Sequence, residues 1–392
     1  MAAKSDREFQ EIAHCGGKIT VETKTDDRGD RLAAFGVRHS TPRPAAWFCV
    51  FADTYGVPFA TVRLGGLADP GAAPPTQAPG YMVFIASDSE GLFGHQCRRC
   101  NGYWRSDGAP SEWPMTCPYC SLRTGTHNFR TDAQRRYVTS CCQRYVDIIG
   151  SDFVGESVID MDAIADAISH DKKPEFYYAE QRQQKYFVCT ACRAANDILG
   201  RYGFCSICGT HNGLQELTAD LVGVKARIEA GAYEGALSDM VSAFDSFARQ
   251  LARQLAARVP MRAKRKAALE RALFHNLKPR ADELRAWFDI DLFEHLTVDD
   301  VTFIVRMFLR RHVYEHNGGE VDERYITDSG DNTVRPKQRI RETAESTTRA
   351  TALVEAIAYN FKKGFDELFP PVRAPVQYEE ERKRRMSDHR SK

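Results

Sequence analysis

The sequence lacks the features that mark membrane-spanning, secreted and nucleotide-driven proteins. Its longest uninterrupted apolar run, residues 45–52, is too short to cross a bilayer. The first ten residues are polar and charged and show no secretory signal, so we expect a cytoplasmic protein with no membrane partner. No Gly-rich phosphate loop of the G-x4-G-K-[S/T] kind is present, and we therefore expect no nucleotide cofactor.

An excess of either charge is also absent. The 54 basic and 53 acidic side chains leave a net charge of +1, which by itself indicates no class of partner. Hydrophobic residues make up 43% and charged residues 27% of the 392 positions, as in folded globular proteins. The length predicts about two or three domains.

Cysteine, in contrast, is abundant, and its spacing is informative. Eight of the twelve cysteines form the quartets C-x2-C-x16-C-x2-C and C-x2-C-x12-C-x2-C. Four thiolates from two tight turns match the tetrahedral cage that Zn(II) prefers, with an iron site or redox dithiols as alternatives. Four cysteine ligands leave no open position for water, so the predicted zinc ions are structural. The predicted ligands are Cys97, Cys100, Cys117 and Cys120 in the first ribbon, and Cys189, Cys192, Cys205 and Cys208 in the second.

Two roles remain open for these zinc ribbons. They either only hold short segments together or also form a recognition surface for nucleic acid or protein. The second interpretation rests on interleaved basic and aromatic residues in the first ribbon: Arg98, Arg99, Tyr103, Trp104 and Arg105. The cysteines without ligand spacing are expected to be buried thiols; they are Cys15, Cys49, Cys141 and Cys142.

The pattern of apolar residues predicts a multidomain α+β protein. Short strand-length runs indicate a small β-rich N-terminal module at residues 1–94, and a helical period indicates a connector at residues 129–182. The two zinc ribbons, at residues 95–128 and 183–212, flank that connector. The spacing of apolar residues over 213–371 predicts an all-α bundle that ends in a long helix over residues 337–369. The charged residues 372–392 are expected to be disordered.

One run at the end of a predicted bundle helix combines arginine and histidine. It reads RRHVYEHNGG over residues 310–319, so His316 lies in the last helical turn, where the helix dipole favours a protonated imidazole. A histidine there can move protons near neutral pH, and a neighbouring arginine can hold a phosphate by two parallel hydrogen bonds. These groups suffice to cleave RNA without a metal.

Arg311-His312-x3-His316 resembles the R-[Asn/Asp/His]-x3-His motif of HEPN domains, which are all-helical ribonucleases of bacterial toxins and antiviral defence. The resemblance covers residues 214–370 and makes this bundle HEPN-like. It implies Arg311 as the phosphate-binding group, His316 as the general acid/base and His312 as the variable polar position. It also implies an RNA substrate, a homodimer or higher homo-oligomer with a shared cleft, and abortive infection or toxicity as the setting. A phage or host trigger would then act on the N-terminal half.

Helical geometry separates the two main groups of this motif. Five residues at about 100° each place Arg311 and His316 about 140° apart, whereas His312 and His316 share a face. Convergence on one phosphate therefore needs either a looser helix end at Asn317 or a group from a second protomer. Arg310 is the alternative arginine, and Asn317 is a supporting residue.

Two other functions compete with a ribonuclease. His312-x-x-Glu315-His316 is the H-x-x-E-H string of inverted zinc peptidases, but only 76 residues follow it, too few for the larger domain that supplies the third ligand of those enzymes. The other alternative is a non-catalytic nucleic-acid-binding or scaffold protein, in which the bundle and the ribbons only recognise partners.

A basic stretch favours a nucleic-acid partner. Between residues 249 and 280 ten side chains are basic and one is acidic, and Arg249 and Arg253 lie one turn apart on one helix face. A solvated basic face is the alternative interpretation. The candidate RNA-binding residues are Arg249, Arg253, Arg262, Lys264, Arg265 and Lys266.

Overall fold

A computed structural model describes residues 9–11, 17–39, 47–53, 57–64, 80–87, 90–107, 113–168, 179–181 and 183–390. The chain divides into unit 1, Met1–Thr210 with Val372–Lys392, and unit 2, His211–Pro371. The architecture is mixed α+β, with a small β-rich N-terminal part and a helical C-terminal region. No helix within the described ranges combines the length and the apolar character that a membrane span requires.

The N-terminal part of unit 1 contains two three-stranded antiparallel sheets. In the first, β2 lies between β3 and β11, and in the second, β4 lies between β5 and β6. Burial alternates along β2, so that Ile19 and Val21 face the core and Lys18 and Glu22 face solvent. The strands are β1 (Phe9–Glu11), β2 (Gly17–Thr25), β3 (Arg31–His39), β4 (Trp47–Ala52), β5 (Pro58–Leu64), β6 (Tyr81–Ala86) and β11 (Gly155–Asp160).

The segment expected to be a helical connector is only partly helical. Helix α1 (Asp132–Gly150) begins at a capping box formed by Thr131 and Gln134. Helix α2 (Met161–Ile168) and strand β12 (Ala179–Gln181) follow β11. The face of α1 that includes Tyr137, Cys141 and Tyr145 packs into the same core as the sheet residues. This segment therefore completes the N-terminal core, because an amphipathic helix must bury its apolar face.

The expected buried thiols are confirmed where the structure describes them. Cys141 and Cys142 are 0% and 1% exposed and lie in the core of unit 1. Cys15 and the Cys49 side chain lie outside the described residues.

Unit 2 is helical, as predicted. Phe244, Phe247, Phe274, Phe308 and Phe361 are all buried, and their rings contact one another in its core. Its helices are α3 (Gly213–Glu229), α4 (Tyr233–Arg258), α5 (Ala263–Glu270), α6 (Leu277–Phe288), α7 (Val298–Asn317), α8 (Glu323–Ser329) and α9 (Ala344–Leu368).

Helix α9 begins later than the periodicity predicted. Residue Lys337 has a left-handed backbone (φ 68°), and Thr343 and Ser346 form a capping box that sets the helix start. Helices α6 and α8 were not predicted. Helix α8 has only seven residues, too few for a periodic pattern to be recognised.

The expected disordered tail is instead a helix, α10 (Arg373–Arg390), and belongs to unit 1. Val376 packs against the buried core of the zinc ribbons, and Tyr378 makes an edge contact with Trp113. The expectation of disorder is wrong because it considered only the polar composition, whereas a few contacts with another part of the chain hold the helix.

Candidate functional sites

The four C-x2-C turns of unit 1 share one backbone arrangement. In each, the first cysteine donates its N–H to the carbonyl five residues later, and its own carbonyl accepts from the residue four positions later. That last residue has a left-handed backbone in all four turns, a conformation that glycine adopts without strain. These left-handed residues are Asn101, Ser121, Arg193 and Gly209, with φ of 57°, 55°, 63° and 78°.

The turns bring the sulfur atoms to distances that suit zinc. Across each quartet the Sγ pairs Cys97–Cys120, Cys100–Cys117, Cys189–Cys208 and Cys192–Cys205 are 3.6–3.7 Å apart. A tetrahedron with Zn–S bonds of about 2.3 Å requires about 3.8 Å between sulfurs. The two quartets are therefore compatible with two structural zinc ions. Zinc bound there would cross-link the two turns of each ribbon.

The two ribbons are related by a local two-fold pseudosymmetry. Strands β7 (Phe93–Gln96) and β8 (Tyr103–Ser106) have counterparts 92 positions later in β13 (Lys185–Val188) and β14 (Ala195–Ile198). The hairpins join through an antiparallel β8–β14 pair into one sheet of order β13-β14-β8-β7. The second turns also exchange equivalent hydrogen bonds, which are Thr116 N–H to Ser206 C=O and Phe204 N–H to Pro118 C=O.

A buried ion pair lies on this pseudosymmetry axis. Arg105 and Asp197 occupy equivalent positions in the two ribbons, face each other in register and are joined by Nε–Oδ2 and Nη2–Oδ2 contacts of 2.7 Å. Their side chains are 0% and 1% exposed, and Glu90 accepts a further hydrogen bond from Arg105. Trp104 is also fully buried. The expectation that Trp104 and Arg105 form part of a recognition surface is therefore wrong, because both hold the ribbons together.

Unit 1 also buries the second metal site more deeply than the first. Cys189, Cys205 and Cys208 are buried, whereas Cys100 of the first quartet is exposed. The amide of Asn196 donates to the Cys205 sulfur over 3.5 Å, an outer contact of the kind that orients metal ligands.

In unit 2, the arginine–histidine motif lies in the last two turns of α7. The helix continues to Asn317, and Gly318 ends it with a left-handed backbone (φ 59°). The helix end is therefore regular at Asn317, so Arg311 and His316 lie on different faces within one chain. Asn317 donates its side-chain amide to Asp322, the N-cap of α8.

Arg310, the alternative arginine, is held in a buried network. It donates to Asp331, Glu342 and the Tyr325 hydroxyl over 3.1–3.2 Å, and both carboxylates have 0% exposed side chains. Burial acts to raise the pKa of Asp331, but hydrogen bonds, those from Thr333 foremost, hold that pKa well below its ordinary value. Arg310 therefore neutralises buried acids and anchors the segment after α7 to this helix.

The other motif residues are Arg311, which is as buried as Arg310, and two histidines at the surface. Arg311 has a 16% exposed side chain and pairs with Glu315 over 2.6 Å. His312 and His316 are both exposed, with ring centroids 4.3 Å apart. Burial, followed by the positive charge of His316, lowers the pKa of His312, which keeps its imidazole neutral near pH 7.

Two further cations near His312 were not predicted. The charges of Arg324, in α8, and His275, in the α5–α6 loop, also lower the pKa of His312. They lie 12 and 37 residues from it in sequence, so no local motif could have found them. Arg311 and Arg324 thus add positive charge next to His312, which favours an anionic ligand here.

The peptidase alternative gains no support from this geometry. Among the residues that the structure describes, the two cysteine quartets are the only groups of three or more metal-ligating side chains. No third ligand therefore accompanies His312 and His316 within the described part of the chain, as a zinc peptidase requires.

Of the predicted RNA-binding residues, two lie on α4 (Arg249 and Arg253), one is the N-cap of α5 (Arg262), and three lie on α5 (Lys264, Arg265 and Lys266). Arg249 pairs with Asp245 at 3.7 Å, and Arg265 lies over the Trp287 ring at 5.0 Å. The others are exposed and form no salt bridge with a described carboxylate; they are Arg253, Arg262, Lys264 and Lys266.

No family model, no curated protein and no solved structure matches the chain.

Proposed function

We propose that this chain is a metal-independent endoribonuclease of the HEPN type that acts as a homodimer. The observation that carries the proposal is the grouping of Arg311, His312 and His316 at the end of α7 in a helical unit, where both histidines are exposed, Arg311 is partly buried, and the charges of Arg311 and Arg324 act on His312. The resemblance of the motif to HEPN domains adds a biological role: the protein would act as a toxin or effector in bacterial anti-phage defence by abortive infection.

The chemistry needs only groups that the motif contains. A neutral histidine takes the proton of a ribose 2′-hydroxyl, and O2′ attacks phosphorus while the P–O5′ bond breaks. A protonated histidine gives its proton to the leaving 5′ oxygen, and Arg311 stabilises the charge on the phosphoryl oxygens. The products are a 2′,3′-cyclic phosphate and a 5′-hydroxyl. The lowered pKa of His312 suits the role of base.

The regular helix end favours a composite site. Because α7 stays helical to Asn317, Arg311 and His316 of one chain diverge around the helix. Two α7 helices that meet across a two-fold axis would place Arg311 of one protomer opposite His316 of the other. Substrate phosphate would then replace Glu315 as the partner of Arg311.

The test compares R311A and H316A with the remote controls R285A and H295A. We expect the motif variants to lose about 100-fold or more of RNA cleavage and of toxicity on overexpression, while the controls retain both. Cleavage by the wild type should survive a chelator under conditions where the protein stays folded, and should leave 2′,3′-cyclic ends. Undiminished cleavage by R311A and H316A would show the catalytic assignment to be wrong.

Mixed dimers test the composite site. In a mixed dimer of one R311A and one H316A subunit, one of the two sites contains both Arg311 and His316 only if each site takes these groups from different protomers. Random mixing should then restore about a quarter of wild-type activity. A mixture that stays inactive, while wild-type subunits mixed with themselves remain active, would place both groups in one chain.

A non-catalytic nucleic-acid-binding protein is the second candidate. It is favoured by four exposed basic residues that form no salt bridge with a carboxylate in the described ranges: Arg253, Arg262, Lys264 and Lys266. RNA binding without cleavage by the wild type would support this alternative.

A further inference from the structure

The two ribbons are equivalent by pseudosymmetry, but unit 1 uses them differently. Helix α10 covers the second ribbon: the Val372 N–H bonds to the Cys208 carbonyl over 2.8 Å, and Glu379 is 3% exposed close to Arg193. Cys100 in the first ribbon remains exposed, whereas its counterpart Cys192 is partly buried. The turn surface of the first ribbon is therefore open, whereas α10 covers the equivalent surface of the second ribbon.

Between its two ligands the open turn surface of the first ribbon carries two positive charges, whereas the equivalent positions of the second ribbon are uncharged. Arg98 and Arg99 lie between the ligands Cys97 and Cys100 and are exposed, whereas Thr190 and Ala191 hold the equivalent positions. Arg136 of α1 is exposed as well. A hydrogen bond from Arg135 is the main cause that lowers the pKa of Asp132, and the charges of Arg136 and Arg98 act in the same direction, so both lie near the start of α1. Arg98, Arg99 and Arg136 are named the knuckle face below.

Asp132, the acid on which Arg98 and Arg136 act, is already paired. Asp132 bonds to Arg135, which also bonds to the Arg130 carbonyl. No salt bridge joins Arg98, Arg99 or Arg136 to any carboxylate that the structure describes. Three unpaired guanidinium groups beside one paired acid attract a polyanion.

The surroundings of the knuckle face indicate which polyanion. The segment between Val57 and Phe153, which contains the first ribbon and α1, includes no exposed large apolar side chain among its described residues, so this segment offers no apolar anchor for a membrane or for an apolar protein surface. Guanidinium groups bind phosphate by parallel hydrogen bonds, and contacts to a phosphate backbone need no apolar surface.

We propose that the knuckle face of the first zinc ribbon binds the sugar-phosphate backbone of nucleic acid, without reading its sequence. This site lies in unit 1 and does not depend on the ribonuclease proposed for unit 2. The asymmetry between the ribbons then has a function: α10 closes one, and the other remains open to the ligand.

The test measures binding of a fluorescein-labelled single-stranded 20-nucleotide RNA by full-length protein that also carries H316A, between 50 and 200 mM salt. The variant R98Q/R99Q/R136Q should bind at least ten-fold more weakly at low salt. Its slope of log K against log salt should fall by about 2, since each phosphate contact contributes about 0.7. The matched control K18Q/R28Q/R38Q removes three exposed cations from β2, β3 and their turn and should bind as the parent does. All proteins should retain two zinc ions.

Three outcomes would overturn the proposal. One is an unchanged affinity and salt slope in R98Q/R99Q/R136Q, and another is an equal loss in the matched control, which would indicate only net charge. The third is that the three arginines are needed for binding to anionic phospholipid vesicles but not for binding to RNA, which would indicate that the knuckle face binds a membrane surface. A parent that still cleaves the probe despite H316A would contradict the ribonuclease assignment, and a non-cleavable 2′-O-methyl probe would then test the knuckle face separately.

Discussion

Arg310 and Arg311 are neighbours in the sequence, yet the tertiary structure gives them different partners. Arg310 is held by two buried carboxylates, whereas Arg311, among the carboxylates that the structure describes, pairs only with Glu315 at the surface. Removing one member of a buried ion pair typically costs about 3–5 kcal/mol, while an exposed pair contributes about 1 kcal/mol or less. The network therefore assigns Arg310 to stability and leaves Arg311 available for a ligand.

Another single residue, His211, makes the stability of unit 2 depend on pH. Its imidazole is buried, accepts the Gly213 N–H over 3.1 Å, and has a pKa of about 3 because of burial and then the charges of Lys362 and Arg258. Below pH 6.5 the unfolded chain binds a proton that the folded chain does not. We expect stability to fall by about 1.4 kcal/mol per pH unit from pH 6 to pH 4.

The variant H211Q should show a smaller pH slope than the wild type in urea unfolding followed by helical circular dichroism. The exposed His295 provides the control, and H295Q should keep the wild-type slope. Equal slopes for H211Q and the wild type would contradict the assignment.

At the scale of elements, the two ribbon hairpins form one structure rather than two separate staples. Strand pairing, the exchanged hydrogen bonds and the Arg105–Asp197 pair all cross the pseudosymmetry axis. Folding of one ribbon therefore preorganises its twin. Since metal binding is coupled to folding in such sites, loading of the two zinc sites should be coupled as well.

Removing one metal site should weaken the other. In C100S/C120S the first ribbon loses two ligands, and we expect the second to release its zinc about ten-fold faster or more to a competing chelator. The reciprocal variant C192S/C208S should affect the first site in the same direction. Mass spectrometry can count the zinc ions that remain bound over time. If the intact ribbon releases its ion at the wild-type rate, the two sites are independent.

For the whole molecule, the chain leaves unit 1 at Thr210 and returns to it at Val372. The helical unit is thus inserted between the second ribbon and the helix that covers it. Among its described residues, α10 buries Pro375 and Glu379 and packs Val376 against the ribbon core, and most of its other side chains are exposed. Its docking therefore depends on a small number of side chains.

Loss of that docking should expose the second zinc site without unfolding unit 2. The variant V376D should release zinc from the second ribbon roughly ten-fold faster, as does loss of other outer contacts of metal sites. R384D places the same charge on an exposed position of α10 and should leave release unchanged. Equal release rates in V376D and the wild type would mean that α10 does not protect the metal.

The sequence by itself determined the local features of this protein. The eight zinc ligands were predictable because the tetrahedral geometry of zinc sets the spacing of its thiolates. The periodicity of the apolar residues predicted a β-rich part and, after it, a helical part. Whether the motif at Arg311 and His316 is catalytic stays a prediction.

Only the tertiary structure decided what depends on contacts between distant residues. It paired the ribbons about Arg105 and Asp197, buried Trp104, brought His275 and Arg324 towards His312, and placed α10 on the second ribbon. Local patterns report the conformation of a segment and the face it must bury. They do not determine which part of the chain packs against that face, because this depends on contacts between residues that are distant in the sequence.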